Sequence, residues 1–331
     1  MRVLGGGLVL GGLAALALGA GQAKASEAGT SFYLLGSGGP AAAVMPPVKG
    51  VFLDNEVYYY DGSARGSKQF VVGGNLVAGL NATILADFPT VLWVPSTDFL
   101  GGTLAVGGAV PFGQPDVNVS AVITGPLGGQ IGVSRSDDAF IVGDPILTAA
   151  LGWKSGKTHI QASTIVNIPI GDYRDGELAN LAFHRWAADV SLAATWRDEE
   201  AGWDLSGKTG FTFNGENEDT DYDTGTEFHV EGSIEKIITP KFSAGVLAYH
   251  FQQVSGDSGE GAVLGPFKGR VSGVGGTAAY NFTLAKRPAT LRFRAIHEFD
   301  AKNRLEGDSF WLGLSVPLHM VLPAGAGGGA P

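Results

Sequence analysis

The sequence predicts an all-β chain, a transmembrane, antiparallel, up-and-down β-barrel of about 12 strands. Three observations predict it. Long ribbons alternate in polarity: in Thr158 to Ile170, His159, Gln161, Ser163 and Asn167 take one parity, and Ile160, Ala162, Val166, Ile168 and Ile170 the other. A period of two places those sets on opposite faces of a pleated strand. The connections between Gly143 and Leu318 are by turns short and long, as in outer-membrane barrels. The ribbons run to roughly 11–14 residues, long enough to cross a bilayer at the usual tilt, whereas strands of a soluble sandwich usually run to about 5–6.

The N-terminus reads as an export signal. Met1-Arg2 is a short basic start, Val3 to Ala20 is apolar, and Ala23-Lys24-Ala25 fits the small-x-small cleavage rule, so the expected mature chain begins near Ser26. The expected division is a signal peptide at 1–25, an irregular segment at 26–47, a barrel at 48–318 and a flexible tail at 319–331. Beyond the signal, no run approaches the ~18 apolar residues of a spanning helix. The 331 residues include 52 Gly and no Cys, which excludes a disulfide framework, a cysteine nucleophile and a thiolate metal site. A net charge of −10 without a basic stripe argues against nucleic acid as a partner.

In chain order, Ser26 to Pro47 is rich in Gly, Ala and Pro, and Pro46-Pro47 stiffens the approach to the first strand. Gly50 to Tyr60 reads as a strand ending in three tyrosines. A long strand is expected from Lys68 to Asp87, a turn region at the membrane surface over Phe88 to Leu100, a Gly-rich strand over Gly101 to Val122, and a polar loop over Thr124 to Asp138. The rhythm is then regular. Expected strands are Ile141–Trp153, Thr158–Ile170, His184–Arg197, Trp203–Phe213, Thr226–Ile238, Lys241–Val254, Gly269–Phe282, Ala289–Asp300 and Gly307–Leu318. Trp186, Trp196, Trp203 and Phe213 fall at strand ends, where aromatic girdles belong.

From Gly143 onward the residues resemble the outer-membrane proteins of the phenol meta-cleavage pathway type. The likeness lies in GDPILTAALGW (Gly143–Trp153), IPIGDY (Ile168–Tyr173), NGENEDTDYDTGTEFHVEGS (Asn214–Ser233), KGR (Lys268–Arg270) and HEFDAKNRLEGDSFWLGLSVPL (His297–Leu318), in matching order and spacing. The resemblance implies a barrel that passes hydrophobic or aromatic growth substrates across the outer membrane.

The charges on the expected lumen parity are Arg185, Asp189, Lys208, Glu227, His229, Glu231, Glu235, Arg292, Arg294 and Glu298. Inside a barrel such groups either set the field of a pore or pair with one another. The run Glu216–Asp223 clusters carboxylates but lacks the spacing of a calcium loop, and reads as a solvated surface loop. The six His residues occur singly, with no i, i+2 pair on a strand, so a metal site has no support. His159 and Ser163 share a face but stand about 13 Å apart along a strand, too far for a base and its nucleophile.

The expectation is therefore a channel for passive uptake of small, hydrophobic or aromatic compounds. No catalytic, cofactor-binding or metal-binding residues are expected. Its partners would be outer-membrane lipid, the solutes, and the barrel-insertion machinery during biogenesis. A barrel enzyme acting on envelope lipid or glycan, and a sealed structural barrel, are the alternatives.

Overall fold

The computed structural model describes residues 29–64, 69–72, 74–124, 130–266 and 268–321. The expected export signal lies outside them. Twelve strands make one closed antiparallel barrel: β1 (Lys49–Ser63), β2 (Leu80–Phe99), β3 (Gly102–Ala109), β4 (Ile146–Ser155), β5 (Thr158–Asn167) and β6 (Ala187–Asp198), then β7 (Trp203–Asn214), β8 (Glu227–Thr239), β9 (Phe242–Gln253), β10 (Arg270–Leu284), β11 (Arg287–Lys302) and β12 (Glu306–Val321). Each pairs with its sequence neighbour, and β1 closes the ring because Val57 pairs with Leu312 of β12 on one edge and Asp87 of β2 on the other. Closure pairs each of the twelve strands on both sides, as a barrel in lipid requires.

The alternation works as the sequence suggests. In β6, Val190 (55% exposed) and Leu192 (60%) point outward, while Asp189 (1%) and Ser191 (2%) point inward. The outer belt is apolar, and Trp153, Trp196 and Trp203 ring the end that carries the short turns. Such a belt on a closed barrel places the protein in an outer membrane, with the short turns on the periplasmic side.

The first third departs from expectation. Phe88 to Leu100, expected as a surface turn, is the lower half of β2, which runs unbroken from Leu80 to Phe99. The strand expected over Lys68 to Asp87 is divided: Gln69–Val72 and Asn75–Ala78 form a separate small hairpin. Gly101 to Val122 is also two pieces, β3 and Phe112–Thr124, and the expected loop Thr124–Asp138 contains the strand Gln130–Asp138 that pairs with the second piece. Pro89 and Pro95 suggest a turn, because proline lacks the ladder donor and normally marks one, whereas the Gly-rich strand is expected to run on through Pro111 and Pro115. Here Pro89 and Pro111 sit where ladders change partners, and Pro95 sits in a bulge between Trp93 and Ser96. At the C-terminus, β12 runs to Val321, past the Leu318 at which the sequence places its end.

The partner change aligns three breaks. Thr90 pairs with Ala109 and Asp87 with Phe112, so Phe88 and Pro89 lie across from Val110 and Pro111. Ala109 pairs with Ile146, and Phe112 with Val142, so Gly143 to Pro145 lie across from that same gap. Pro89, Pro111 and Pro145 thus stand at one level on three neighbouring strand lines, each without an N–H to give. One bond spans the gap, Gly143 N–H to the Pro111 carbonyl at 2.8 Å.

Candidate functional site

The lumen is not empty. The irregular segment was expected at or in the barrel mouth; its described part, residues 29–47, threads the lumen from the loop end to the turn end. Gly29 lies beside Phe70 and Arg304 at the outer end, and Met45 accepts from Gln161 Nε2 at 3.0 Å near the inner one. This strand-free backbone makes turn bonds of its own, Ser37 N–H to Leu34 and Val44 N–H to Ala41, and side chains of the wall hold other groups along it. Glu231 accepts from Gly36 N at 2.9 Å through one oxygen and from Gly38 N at 2.7 Å through the other. Arg294 donates to the carbonyls of Gly36 (3.0 Å) and Ser37 (3.3 Å), and pairs with Glu56 at 2.5 Å. Lower down, Asp204 and Ser206 accept from Ala41 N, and Thr195 accepts from Ala43 N.

Two glycines make this fit possible. Gly36 has φ +91°, and a Cβ there would meet Ile296 Cδ1 at 2.5 Å. A Cβ on Gly38 would stand 2.7 Å from Glu231 Oε2. Above them the Tyr33 ring stacks on His229 at 3.6 Å and 9°, with Lys208 Nζ 4.8 Å from the same ring.

The segment divides the lumen into two chambers. The outer one, about 260 Å³, is lined chiefly by apolar and aromatic side chains, among them Phe32, Tyr58, Ile84, Phe88, Ile165 and Leu178. Its polar lining includes Asp144, Asn167, Asn180, Arg185, Arg304 and Glu298, the last accepting from the hydroxyls of Tyr60 and Tyr249, both at 2.8 Å. The inner chamber, about 460 Å³, faces the periplasm and is lined by Arg197, Arg292 and Arg294 against Asp54, Glu56 and Glu235. Ser37 touches both chambers.

All ten charges singled out in the sequence lie inside the barrel wall, in three separate groups. Glu231, Lys208, Asp189, His229 and Arg294 surround the threaded segment. Glu235 pairs with Arg292 at 2.5 Å in the inner chamber. Arg185, Glu227 and Glu298 stand at the outer end, where Arg185 lies over the Phe183 ring and donates to Asn214. Asp189 accepts from His229 Nε2 at 2.9 Å, from Thr212 at 2.8 Å and from Ser191. Ser191, His229 and Asp189 are a serine-triad set by composition but not by geometry. The same Nε2 faces both the carboxylate and, at 3.4 Å, the hydroxyl, so the imidazole cannot relay between them.

Sequence reasoning missed several members. Glu56, Tyr58 and Tyr60 fall on the inward parity of β1 and were legible there. Asp144 was not, because it is in a break between strands. It accepts from Asn167 Nδ2 and from the backbone N–H groups of Gly171, Phe183 and His184, and so folds the loop 168–186 over the outer chamber. The acidic run expected as a loop forms a small hairpin, Glu216–Asn217 with Tyr222–Asp223. Nearby Asp257 accepts from Tyr222 OH (2.6 Å), Gly225 N (2.8 Å) and Gln253; burial raises its carboxyl to about 6.

Residues 65–314 match the family described as "Putative MetA-pathway of phenol degradation". The chain belongs to that family. Among solved structures, the chain is similar to the COG4313 outer membrane channel from Pseudomonas putida F1, at 17% identity and a TM-score of 0.61, over 84% of this chain and 98% of that one. A Pseudomonas aeruginosa FadL homologue aligns over 85% of this chain and 93% of that one, at 11% identity and a TM-score of 0.40, too low to carry weight. No match was found among curated proteins. The P. putida likeness shows the fold; what passes through this barrel is decided by its own side chains.

Proposed function

We propose that the protein is a channel for passive uptake of small hydrophobic or aromatic compounds across the outer membrane. The observation that carries this reading is the outer chamber. A cavity of roughly 150 Å³ already admits benzene when its walls are apolar, and this one is larger, about 260 Å³, and walled by aromatic and aliphatic side chains. A sugar would have to give up its water to enter a chamber walled mostly by apolar side chains, where the carboxylates of Glu298 and Asp144 are already occupied by protein donors. An apolar ring gains by leaving water, at about 25 cal/mol per Å² buried.

The family match is consistent with a solute of phenol-degrading metabolism. Pro111 and Phe88, at the aligned break in the wall, both line the chamber. The break therefore offers a ring dissolved in the outer leaflet a short way in. The onward step to the polar inner chamber requires the threaded segment to move at Ser37. Its attachments are hydrogen bonds to wall side chains and the packing of Tyr33 and Leu35, which break and reform without chemistry.

The test is uptake of labelled aromatics by cells that lack general porins, with and without the protein, and with Ile165→Trp to fill the chamber. Protein-dependent uptake of aromatics, lost in Ile165→Trp, supports the reading. Equal rates for aromatics and for sugars of the same size point to a general pore, and no protein-dependent uptake points to a sealed structural barrel.

A further inference from the structure

Among the described residues, the lipid-facing wall carries a polar pair, Asn55 and Asp87, midway along β1 and β2, where hydrocarbon is expected. The odd-numbered residues of β1 point outward, so Asn55 lies between Leu53 and Val57 on the membrane face, across from Leu314 of β12. Asp87 takes the outward parity of β2, between Leu85 (52% exposed) and Val91 (44%), and is flanked by Val57 on one side and Phe112 (36%) on the other. Asn55 Nδ2 donates to Asp87 Oδ1 at 2.7 Å. Asp87 Oδ2 has no hydrogen-bond partner among the described residues. A carboxylate held at membrane depth costs free energy, and such residues mark function more often than structure.

We propose that Asn55 and Asp87 form a binding site on the outer wall for the O–H or N–H group of an apolar ring arriving from the outer leaflet. The proposal rests on the channel reading above for what the ring does next. The chemistry of the pair sets the class. A carboxylate oxygen with no protein donor accepts a hydrogen bond from a hydroxyl or amine. It repels a carboxylate or phosphate, and it offers nothing to a plain hydrocarbon. The location sets the use. Asn55 stands across the ladder from Pro89, at the aligned break. The neighbours of Asp87 on its own strand, Ala86 and Phe88, point inward, and Phe88 lines the outer chamber. A ring held by its hydroxyl at Asp87 is thus one strand's thickness from the chamber, beside the level at which the ladders change partners.

The test measures initial uptake of labelled phenol and toluene by cells lacking general porins, for the wild type, Asp87→Leu and Asp87→Asn. In Asp87→Leu the phenol-to-toluene ratio should fall about 3- to 10-fold, the worth of one net hydrogen bond, with the toluene rate unchanged. Asp87→Asn keeps an acceptor oxygen and should keep most of the ratio, which a merely structural tie between β1 and β2 would not distinguish. An unchanged ratio in Asp87→Leu overturns the proposal. Anisole needs no variant: it retains the oxygen without the O–H, so after correction for partition into lipid it should pass at the rate of toluene, and passage at the rate of phenol also overturns the proposal. If the wild type admits neither compound, the channel reading fails, and the site is then judged by equilibrium binding of 4-fluorophenol and fluorobenzene to the protein in bicelles. A preference for the phenol that Asp87→Leu removes supports the site; equal binding of the two by the wild type overturns it.

Discussion

Replacing Glu231 with Ala should release the middle of the threaded segment while leaving the barrel intact. The carboxylate receives two buried backbone N–H groups, from Gly36 at 2.9 Å and Gly38 at 2.7 Å. Charge-assisted bonds of this kind are worth about 1.5–3 kcal/mol each, so the pair contributes on the order of 3–6 kcal/mol. The other charged neighbours do not replace the lost acceptor, because Arg294 and Lys208 can only donate and Asp189 already accepts from Ser191, Thr212 and His229. At about 1.4 kcal/mol per factor of ten, the lower figure alone means ~100-fold faster amide exchange at Gly36 and Gly38. Hydrogen exchange read by mass spectrometry on the peptide covering residues 30–44 measures it. Peptides from β7 to β10 should keep wild-type protection, and single-channel conductance should rise as water and ions reach Ser37 from both chambers. Unchanged protection at Gly36 and Gly38 would refute the latch, and loss of protection throughout the barrel would mean that Glu231 supports the wall instead.

Gly36→Ala should loosen the same segment by another route, since its φ of +91° and the Ile296 methyl at 2.5 Å both oppose a Cβ; the same exchange experiment reads it, and wild-type protection would count against the packing described. Tyr249→Phe removes one of two hydroxyl donors to the buried Glu298 and should cost about 1–3 kcal/mol in denaturant unfolding, with no loss expected if a water takes its place. The loop clamp at Asp257 should depend on pH. Its folded-state pKa of about 6 lies above the ordinary 3.8, so the folded loop holds the proton more tightly than the open one. Stability from this group is therefore fully present below pH ~4 and is lost as pH rises through about 6, on the order of 3 kcal/mol in all. Exchange of the amides around Gly225 should accelerate over that window in the wild type and lose the pH dependence in Asp257→Asn.

The strands from β4 to β12 were legible because each shows its own alternation and is bounded by turn residues. Asp189 and Leu192 on β6 declare inside and outside without any tertiary information. The stretch from Gln69 to Val142 was not legible, because Pro89 and Pro111 belong to places where one strand changes partners. Pro89 sits in the middle of a 20-residue strand, and only the positions of β3 and the segment after Pro111 explain it. The candidate site was half legible. Parity placed Glu231, Arg294 and Glu298 inside, but their roles depend on residues 29–47, whose path through the lumen leaves no periodic trace. Tyr33, Gly36 and Gly38 carried no signal beyond the irregular composition of their segment. Asn55 and Asp87 carried a faint one, as polar residues on an otherwise apolar parity.

The central claim is tested most directly by initial rates of uptake of labelled phenol and of a sugar of similar size into cells whose outer membrane contains this protein and no general porin. The account predicts protein-dependent uptake of phenol that greatly exceeds that of the sugar and that disappears when Ile165→Trp fills the outer chamber. Equal rates for the two solutes, or rates that do not depend on the protein, would contradict it.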